Sequence, residues 1–140
     1  MPIKDQTLLL PQPMVNTMLA LAQQNPDIEI CGLIGNNENN NRKEYYAIDN
    51  VAKNPACGFL MDAHQQIKAM KTMRDRQQTL YAIVHSHPTT SAIPSQRDIE
   101  ENNYRDVYYI IISLNAKDVP EMRGYIPQAD SMQAVDIALI

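Results

Sequence analysis

Two histidines at the end of a predicted strand constrain this chain more than any other feature of its sequence. The apolar, β-prone run at residues 79–84 leads straight into His85-Ser86-His87-Pro88. Side chains two positions apart on a strand share one face, and the two histidine Cα atoms would lie about 6.6 Å apart at roughly 3.3 Å per residue. Two imidazoles at that separation can bind one metal ion, although such a pair also occurs on strands by chance.

Pro88 donates no backbone hydrogen bond, so the strand should stop there and leave the histidines at the rim of the sheet. Ser95-Gln96-Arg97-Asp98 then opens a helix. One interpretation of this segment is a capping box, in which Ser95 caps the helix and Asp98 folds back to it. The other makes Asp98 the third ligand of the histidine site. Two histidines and one carboxylate leave one coordination position for water, which is typical of catalytic zinc.

Hydrophobic periodicity along the rest of the chain predicts a mixed sheet of six or so strands with helices packed on it. Strands that alternate with helices place the chain in the α/β (α+β) class. Its 140 residues are the length of one domain, so we expect residues 1–140 to form a single domain. Strands are predicted at residues 7–10, 28–35, 44–49, 59–61, 79–84, 107–114 (the central strand), 121–126 and 134–139, and helices at 13–24, 62–76 and 95–103.

Apolar residues recur at helical spacing in the first two helices, and each stripe should face the core. Asn25-Pro26 should end the first helix, because the residue before a proline avoids the helical region. Asp62 suits the cap of the second helix. The residues expected on the core faces are Val15, Met18, Leu19 and Ala22 in the first helix and Ile67, Met70 and Met73 in the second.

Composition excludes several classes of partner. A net charge of −4 without a stripe of Lys or Arg offers no footprint for nucleic acid, and no apolar stretch reaches the length of a membrane span. Residues 1–5 lack the features of a secretory signal, so we expect a reducing cytoplasm in which Cys31 and Cys57 stay unpaired. Cys31 should be a small buried residue; a zinc thiolate in competition with Asp98 is the alternative.

Glu29 is an isolated carboxylate at the start of the apolar strand at residues 28–35. Burying a carboxylate is costly unless it is used or reaches water. Two interpretations are open: a solvent-facing residue at a strand start, or the base that the histidine site lacks. His64, the third histidine, falls in the first turn of a helix and should lie on the surface.

Other metal-site patterns fit less well. A β-lactamase-type site requires Asp-His directly after the histidine pair, where this chain has Pro88-Thr89-Thr90, and a cupin-like barrel would need many more than four glycines. In contrast, His85-Ser86-His87-Pro88, six residues, Ser95, two residues and Asp98 resemble, residue for residue, the signature of the JAMM (MPN-plus) zinc metalloproteases in their compact bacterial, JAB-domain form. Residues 29–35 are similar to the family's first-strand segment, and the resemblance spans roughly residues 8–126.

This resemblance implies a JAB/MPN fold of the cytidine-deaminase-like type, with one Zn²⁺ per chain bound by His85, His87 and Asp98. It implies that Glu29 moves a proton from the attacking water to the leaving amine. It also implies that Ser95 donates a hydrogen bond to the oxygen of the tetrahedral intermediate. The complete ligand set separates the chain from metal-free scaffold members of the family. The implied reaction is hydrolysis of the amide or isopeptide bond after the C-terminal glycine of a ubiquitin-like protein.

Only residues 99–106 separate Asp98 from the next predicted strand, which leaves no room for a large recognition insertion. This compact form resembles bacterial members that trim ubiquitin-like sulfur-carrier proteins, so such a carrier is the expected partner, and a homodimer is left open. One alternative is a non-catalytic MPN-type module that docks a ubiquitin-like tail by strand addition. A peptidase for cell-wall or phage-related peptides is another. The loop at residues 50–58 could cover the site.

Overall fold

The computed structural model describes residues 7–116 and 119–140. The prediction for residues 1–5 lies outside the described residues, and so do residues 117 and 118, which fall between the strands predicted at 107–114 and 121–126. Within the described ranges there are seven strands and three helices. In chain order they are β1 (Thr7–Leu10), α1 (Gln12–Gln24), β2 (Cys31–Asn37), β3 (Lys43–Ile48), α2 (Ala63–Asp75), β4 (Gln78–His87), α3 (Gln96–Glu101), β5 (Tyr108–Ser113), β6 (Glu121–Pro127) and β7 (Met132–Leu139).

The seven strands form one mixed sheet in the order β1-β7-β6-β5-β4-β2-β3. The pairs β4–β5 and β1–β7 are parallel, and the other neighbours are antiparallel. Every residue of β5 is buried, as expected for a strand that is covered on both faces. The predicted central strand and the predicted mixed α+β architecture are therefore confirmed.

Alternate residues of β4 and β5 point to opposite faces and join two apolar clusters. On one face Val84 and Ile110 lie in a cluster with residues of α1, including Met18. On the other face Ile83 and Ile111 lie in a cluster with residues of α2. The two helices thus cover the two faces of the central strands, and His85 continues the α2 face of β4.

The start of β2 differs from the prediction. The strand begins at Cys31 rather than at residue 28, because the N–H of Ile30 donates to Ser86 Oγ at 2.8 Å instead of to a strand carbonyl. The N–H of Glu29 donates to the Pro55 carbonyl in a loop, at 2.7 Å. Glu29 therefore precedes the sheet ladder and is held by other parts of the chain.

Two further predictions about elements are wrong. Residues 59–61 form no strand; Met61 makes only an isolated bridge to Asn50. Ile67 is 70% exposed, whereas Ala69 and Met73 are buried in α2. At 100° per residue Ile67 lies about 160° around the helix from Ala69, so it cannot share the buried stripe.

The predicted helix boundaries agree closely with the structure. Asn25 caps the end of α1, and Asp62 caps α2 by accepting a hydrogen bond from the Gln65 N–H at 2.9 Å. Ser95 is the N-cap of α3. No helix among the described residues is long and apolar enough to cross a membrane.

Candidate metal centre

Strand β4 contains both histidines, which form one side of the candidate metal centre. It pairs with β5 through His87, opposite Ser113, and ends there, before Pro88. His85 and His87 are buried, and their Nε2 atoms lie 3.0 Å apart. The intervening Ser86 points away and accepts the Ile30 N–H. The predicted shared face and the predicted strand end are both confirmed.

Asp98, in the first turn of α3, completes the group. Its Oδ2 lies 3.0 Å from His87 Nε2, and its Oδ1 lies 3.3 Å from His85 Nε2. The capping box is also present: Ser95 Oγ accepts the Asp98 N–H at 3.0 Å, and Asp98 Oδ2 accepts the Ser95 N–H at 2.9 Å. The two interpretations of this segment are not alternatives, because one carboxylate closes the helix end and faces both histidines.

The three side chains fit a zinc ion. Zinc–ligand distances of about 2.0–2.1 Å in tetrahedral geometry place neighbouring ligand atoms about 3.3 Å apart. The ligand atoms of His85, His87 and Asp98 lie 3.0–3.3 Å from one another along their closest contacts. All three residues are buried, and two imidazoles with one carboxylate are ligands that zinc accepts. Such a set leaves one coordination position for water or substrate.

Side chains from three strands anchor the loop between the histidines and Asp98. Three consecutive carbonyls of that loop each accept a hydrogen bond. His87 Nδ1 donates to the Ser91 carbonyl at 2.8 Å, which directs His87 Nε2 towards the centre. The other two bonds run from Ser113 Oγ to the Thr90 carbonyl and from Tyr125 Oη to the Ala92 carbonyl.

Glu29 lies beside the three candidate ligands and is only 6% exposed. Its Oε1 is 3.9 Å from His85 Nε2, and this oxygen has no hydrogen-bond partner among the described residues. Burial raises the pKa of Glu29 to about 7. The solvent-facing interpretation of Glu29 is therefore wrong, because the carboxyl is enclosed and directed at the centre.

Burial and pairing shift the pKa values of the three candidate ligands in different directions. Burial lowers the pKa of His85. Burial also acts to lower the pKa of His87, but the Asp98 carboxylate and the Ser91 carbonyl outweigh it, and the net pKa is raised. Burial acts to raise the pKa of Asp98, but hydrogen bonds with the two histidines hold it well below its usual range. The carboxylate is therefore ionised and ready to bind a cation.

Two aromatic rings pack against His85. The Phe59 ring stacks on the imidazole, with centroids 4.6 Å apart and planes inclined by 25°. Tyr109 lies tilted at 5.2 Å. His85 Nδ1 has no hydrogen-bond partner in the part of the chain that the structure describes. His85 is thus oriented by packing, whereas His87 is oriented by a hydrogen bond.

A groove of about 790 Å³ opens beside Asp98. The groove is lined by the loop between β3 and α2, including Lys53, Gly58 and Phe59, and by residues of α3, including Arg97. Residues 50–58, the loop that could cover the site, contribute Ala52, Lys53, Asn54 and Gly58 to the lining of this groove. An extended peptide that lies in the groove would pass next to Asp98.

The remaining candidate residues lie elsewhere. Cys31 is 1% exposed, and its Sγ donates to the Ile48 carbonyl at 3.3 Å; burial raises the pKa of this thiol to about 12. Cys31 is thus a protonated buried residue and does not join the ligand group, as predicted. Cys57 is exposed and unpaired. His64 is exposed, which confirms its surface position.

Comparison with known proteins gives a consistent result. The chain is 29% identical over 119 residues to the CysO-cysteine peptidase of Mycobacterium tuberculosis, covering 84% of this chain and 81% of that protein. Over 63 residues it is 40% identical to a probable TtuB-protein conjugate cleaving protease of Thermus thermophilus, covering 45% of this chain and 43% of that one.

Solved structures agree with the fold. A protein of Desulfitobacterium hafniense is 30% identical, with a TM-score of 0.82 over 95% of this chain and 92% of that one. A JAB1/MPN domain protein of Archaeoglobus fulgidus has the same fold at 14% identity, with a TM-score of 0.57 over 97% and 99% of the two chains. The family model for prokaryotic homologs of the JAB domain matches residues 11–125. The chain belongs to this prokaryotic JAB-domain family.

Proposed function

We propose that this protein is a zinc-dependent peptidase that hydrolyses the amide bond after the C-terminal glycine of a ubiquitin-like sulfur-carrier protein. One observation carries the proposal: Glu29, a buried carboxyl with an unpaired oxygen, lies 3.9 Å from His85 in a group with His87 and Asp98. A module that only binds a peptide tail has no use for such a carboxyl. Its desolvation is a cost that a base in catalysis justifies.

The residues of the centre divide the chemistry between them. Zinc bound by His85, His87 and Asp98 supplies a Lewis acid and makes water more acidic. Glu29 takes a proton from the attacking water and delivers it to the leaving amine, and its raised pKa suits both transfers. Ser95 Oγ accepts the Asp98 N–H, so its own hydrogen is left to donate to the carbonyl oxygen as negative charge develops there.

The sulfur-carrier substrate rests on two lines of support. The similar proteins are named a CysO-cysteine peptidase and a TtuB-protein conjugate cleaving protease, so both are named for removing something attached to a protein. The segment between α3 and β5 is also short, which favours a small substrate tail over a large docked chain. A tail that ends in glycines could lie in the groove between α3 and the loop that carries Phe59.

Mass spectrometry tests the proposal directly. A panel of sulfur-carrier proteins, each extended beyond its terminal Gly-Gly by a cysteine or a short peptide, is incubated with the zinc-loaded protein. We expect a mass loss that corresponds to cleavage directly after the last glycine. Protein stripped of zinc and the Glu29→Gln variant are the controls, and both should leave the substrates intact.

The outcomes separate the parts of the proposal. Intact carriers across the whole panel, with zinc still bound, would contradict the substrate class. Cleavage by Glu29→Gln at the wild-type rate would contradict the role of Glu29. Cleavage by zinc-free protein would contradict the metal dependence. A panel that is bound but never cut would favour the non-catalytic binding module.

A further inference from the structure

The Asn50 side chain bridges the two ends of the loop between β3 and α2. We call the place where these ends meet, at residues 50–52 and Leu60, the neck of the loop. Its Oδ1 accepts the N–H of Ala52 and the N–H of Leu60, both at 3.0 Å. The neck is also closed by the Val51 N–H, which donates to the Leu60 carbonyl at 2.8 Å. The oxygen end of this amide therefore holds together the two ends of a loop of about ten residues.

The nitrogen end of the same amide reaches out of the neck. Asn50 Nδ2 donates to the carbonyl of Glu29 at 2.9 Å and to the carbonyl of Gly58 at 3.0 Å, with a longer contact of 3.4 Å to Pro55. The Glu29 N–H donates to the Pro55 carbonyl at 2.7 Å. Both backbone polar groups of Glu29 are thus bonded to this loop or to Asn50.

This arrangement matters because Glu29 lies outside the sheet ladder, which starts at Cys31. A strand residue is positioned by its neighbours on both sides, but Glu29 depends on the loop. The loop also carries Phe59, between two residues bonded to Asn50, and the Phe59 ring stacks on His85. One amide group consequently ties the backbone of Glu29 to the segment that packs on a metal-binding histidine.

We infer that Asn50 is a positioning residue that sets the Glu29 carboxyl relative to the metal centre through its Nδ2 donor. The inference rests on the proposed role of Glu29 as the base. An asparagine that only stabilised the loop would need its Oδ1 contacts and its Nδ2 bond to the Gly58 carbonyl, all of which lie within the loop. The Nδ2 bond to Glu29, across 21 residues of sequence, has no such local purpose.

Asn50→Asp separates the two ends of the side chain. The aspartate keeps an oxygen for the Ala52 and Leu60 N–H groups, but it has no donor for the carbonyls of Glu29 and Gly58. Asn37 offers a matched control at the opposite end of β2: its Oδ1 accepts the Asn39 N–H and its Nδ2 donates to the Arg76 carbonyl. Asn37→Ala removes a comparable pair of bonds far from the centre.

Amide hydrogen exchange by NMR on the zinc-loaded protein gives the first readout. In Asn50→Asp we expect the Glu29 amide to exchange at least about tenfold faster, while the Ala52 and Leu60 amides keep wild-type rates. Asn37→Ala should change none of the three. The inference would be overturned if exchange at the Glu29 amide is unchanged, or if all three amides exchange faster by the same factor. In either case Asn50 would not position Glu29 in particular.

Kinetics give the second readout. Asn50→Asp should lower kcat at least about tenfold. It should leave KM within about threefold, since the loop that lines the groove keeps the hydrogen bonds from Ala52 and Leu60. In a Glu29→Gln background the same substitution should cost no further rate, because the residue through which Asn50 acts is already lost. If the two substitutions lower the rate independently in the double variant, the inference is overturned. If the wild type cleaves no carrier, the proposed function fails, and hydrogen exchange still decides the role of Asn50.

Discussion

At the scale of single residues, the Glu29 carboxyl is buried and one of its oxygens has no hydrogen-bond partner among the described residues. That oxygen faces His85. An ionised carboxylate in such a place loses hydration that nothing nearby replaces, so its pKa rises to about 7. The folded protein without metal is therefore destabilised by the charge at this position.

Stability as a function of pH tests this cost in metal-free protein. The pKa of Glu29 is about 7 when folded, against a reference of 4.5. Between those values the unfolded chain releases the proton and the folded protein keeps it, so stability falls as pH rises from 4.5 to 7. Glutamine does not titrate. We expect Glu29→Gln to exceed the wild type by about 1–3 kcal/mol at pH 8 and to match it near pH 4.

Urea unfolding at the two pH values measures the difference in free energy of unfolding. The chelated wild type is the reference in each buffer, and Glu44→Gln serves as a control, because Glu44 is a partly exposed carboxylate whose pKa is lowered by Arg76. That control should lose stability or stay unchanged at pH 8. A Glu29→Gln variant that is less stable than the wild type at pH 8 would contradict the destabilising charge.

Zinc content tests the ligand group at the same scale. His87→Ala removes a nitrogen that lies 3.0 Å from both other ligands, and we expect zinc per chain to fall from about one to near zero. His64→Ala changes an exposed histidine and should keep about one zinc per chain. Elemental analysis after gel filtration measures both. Equal zinc in the two variants would place the metal elsewhere.

The placement of His85, His87 and Asp98 could be predicted from spacing, because position on a strand fixes the direction of the two histidines and a helix cap fixes that of Asp98. Spacing left their role as metal ligands open. The burial of Glu29 could not be predicted in this way. It depends on a loop that follows a different strand and on Asn50, whose partners lie up to 21 residues away. An asparagine in a loop is also an ordinary turn residue, so its sequence context carries no signal of this role.

At the scale of elements, the loop between β4 and α3 joins the histidines to Asp98. Hydrogen bonds from β4, β5 and β6 hold its consecutive carbonyls of Thr90, Ser91 and Ala92. The sequence predicted this loop but not its anchors, because Ser113 and Tyr125 belong to strands that follow later in the chain. Long-range pairing of strands decides which side chains reach the loop.

Removing one anchor should weaken metal binding without removing a ligand. Tyr125→Phe deletes the donor to the Ala92 carbonyl and leaves that buried carbonyl unpaired. We expect zinc affinity to fall about 10-fold, within the range for groups that orient ligands. Tyr46→Phe is the matched control, since its hydroxyl bonds to Gln78 at the opposite end of β4.

Competition with a zinc-binding dye measures both affinities. The wild type and Tyr46→Phe should agree within about twofold, and Tyr125→Phe should release zinc to the dye at lower dye concentration. If Tyr125→Phe keeps the wild-type affinity, the loop holds Asp98 in place without the bond to β6.

At the scale of the whole molecule, the centre draws on β4, α3 and the segment before β2, so zinc should stabilise the entire fold. Zinc that binds only the folded state adds about 2.7 kcal/mol at a free concentration one hundred times the Kd. For a chain of this length that corresponds to a rise in Tm of about 5–10 °C. Differential scanning fluorimetry with and without chelator measures the shift, and His87→Ala should show none.

The overall architecture could be predicted from sequence to a large extent. Strongly β-prone runs and clear helix stops determine most elements, and β5, predicted as the central strand, is buried along its whole length. The predictions for Ile67 and for residues 59–61 were wrong because of tertiary packing. Helix α2 packs a different stripe against the sheet, which leaves Ile67 exposed. Residues 59–61 form a single bridge to Asn50 instead of a strand. The strand order 1-7-6-5-4-2-3 depends on long-range pairing and was not predictable from local patterns.

The pairing of β4 with both β2 and β5 has a consequence for how the protein matures. His85 lies opposite Cys31 on one side and Ile111 on the other. A slip of one residue along β4 would turn Ser86 to the α2 face and send both imidazoles into the apolar layer under α1. A chain with that fault does not bring His85, His87 and Asp98 together. If the group binds zinc as proposed, metal uptake would therefore select for a correctly aligned sheet.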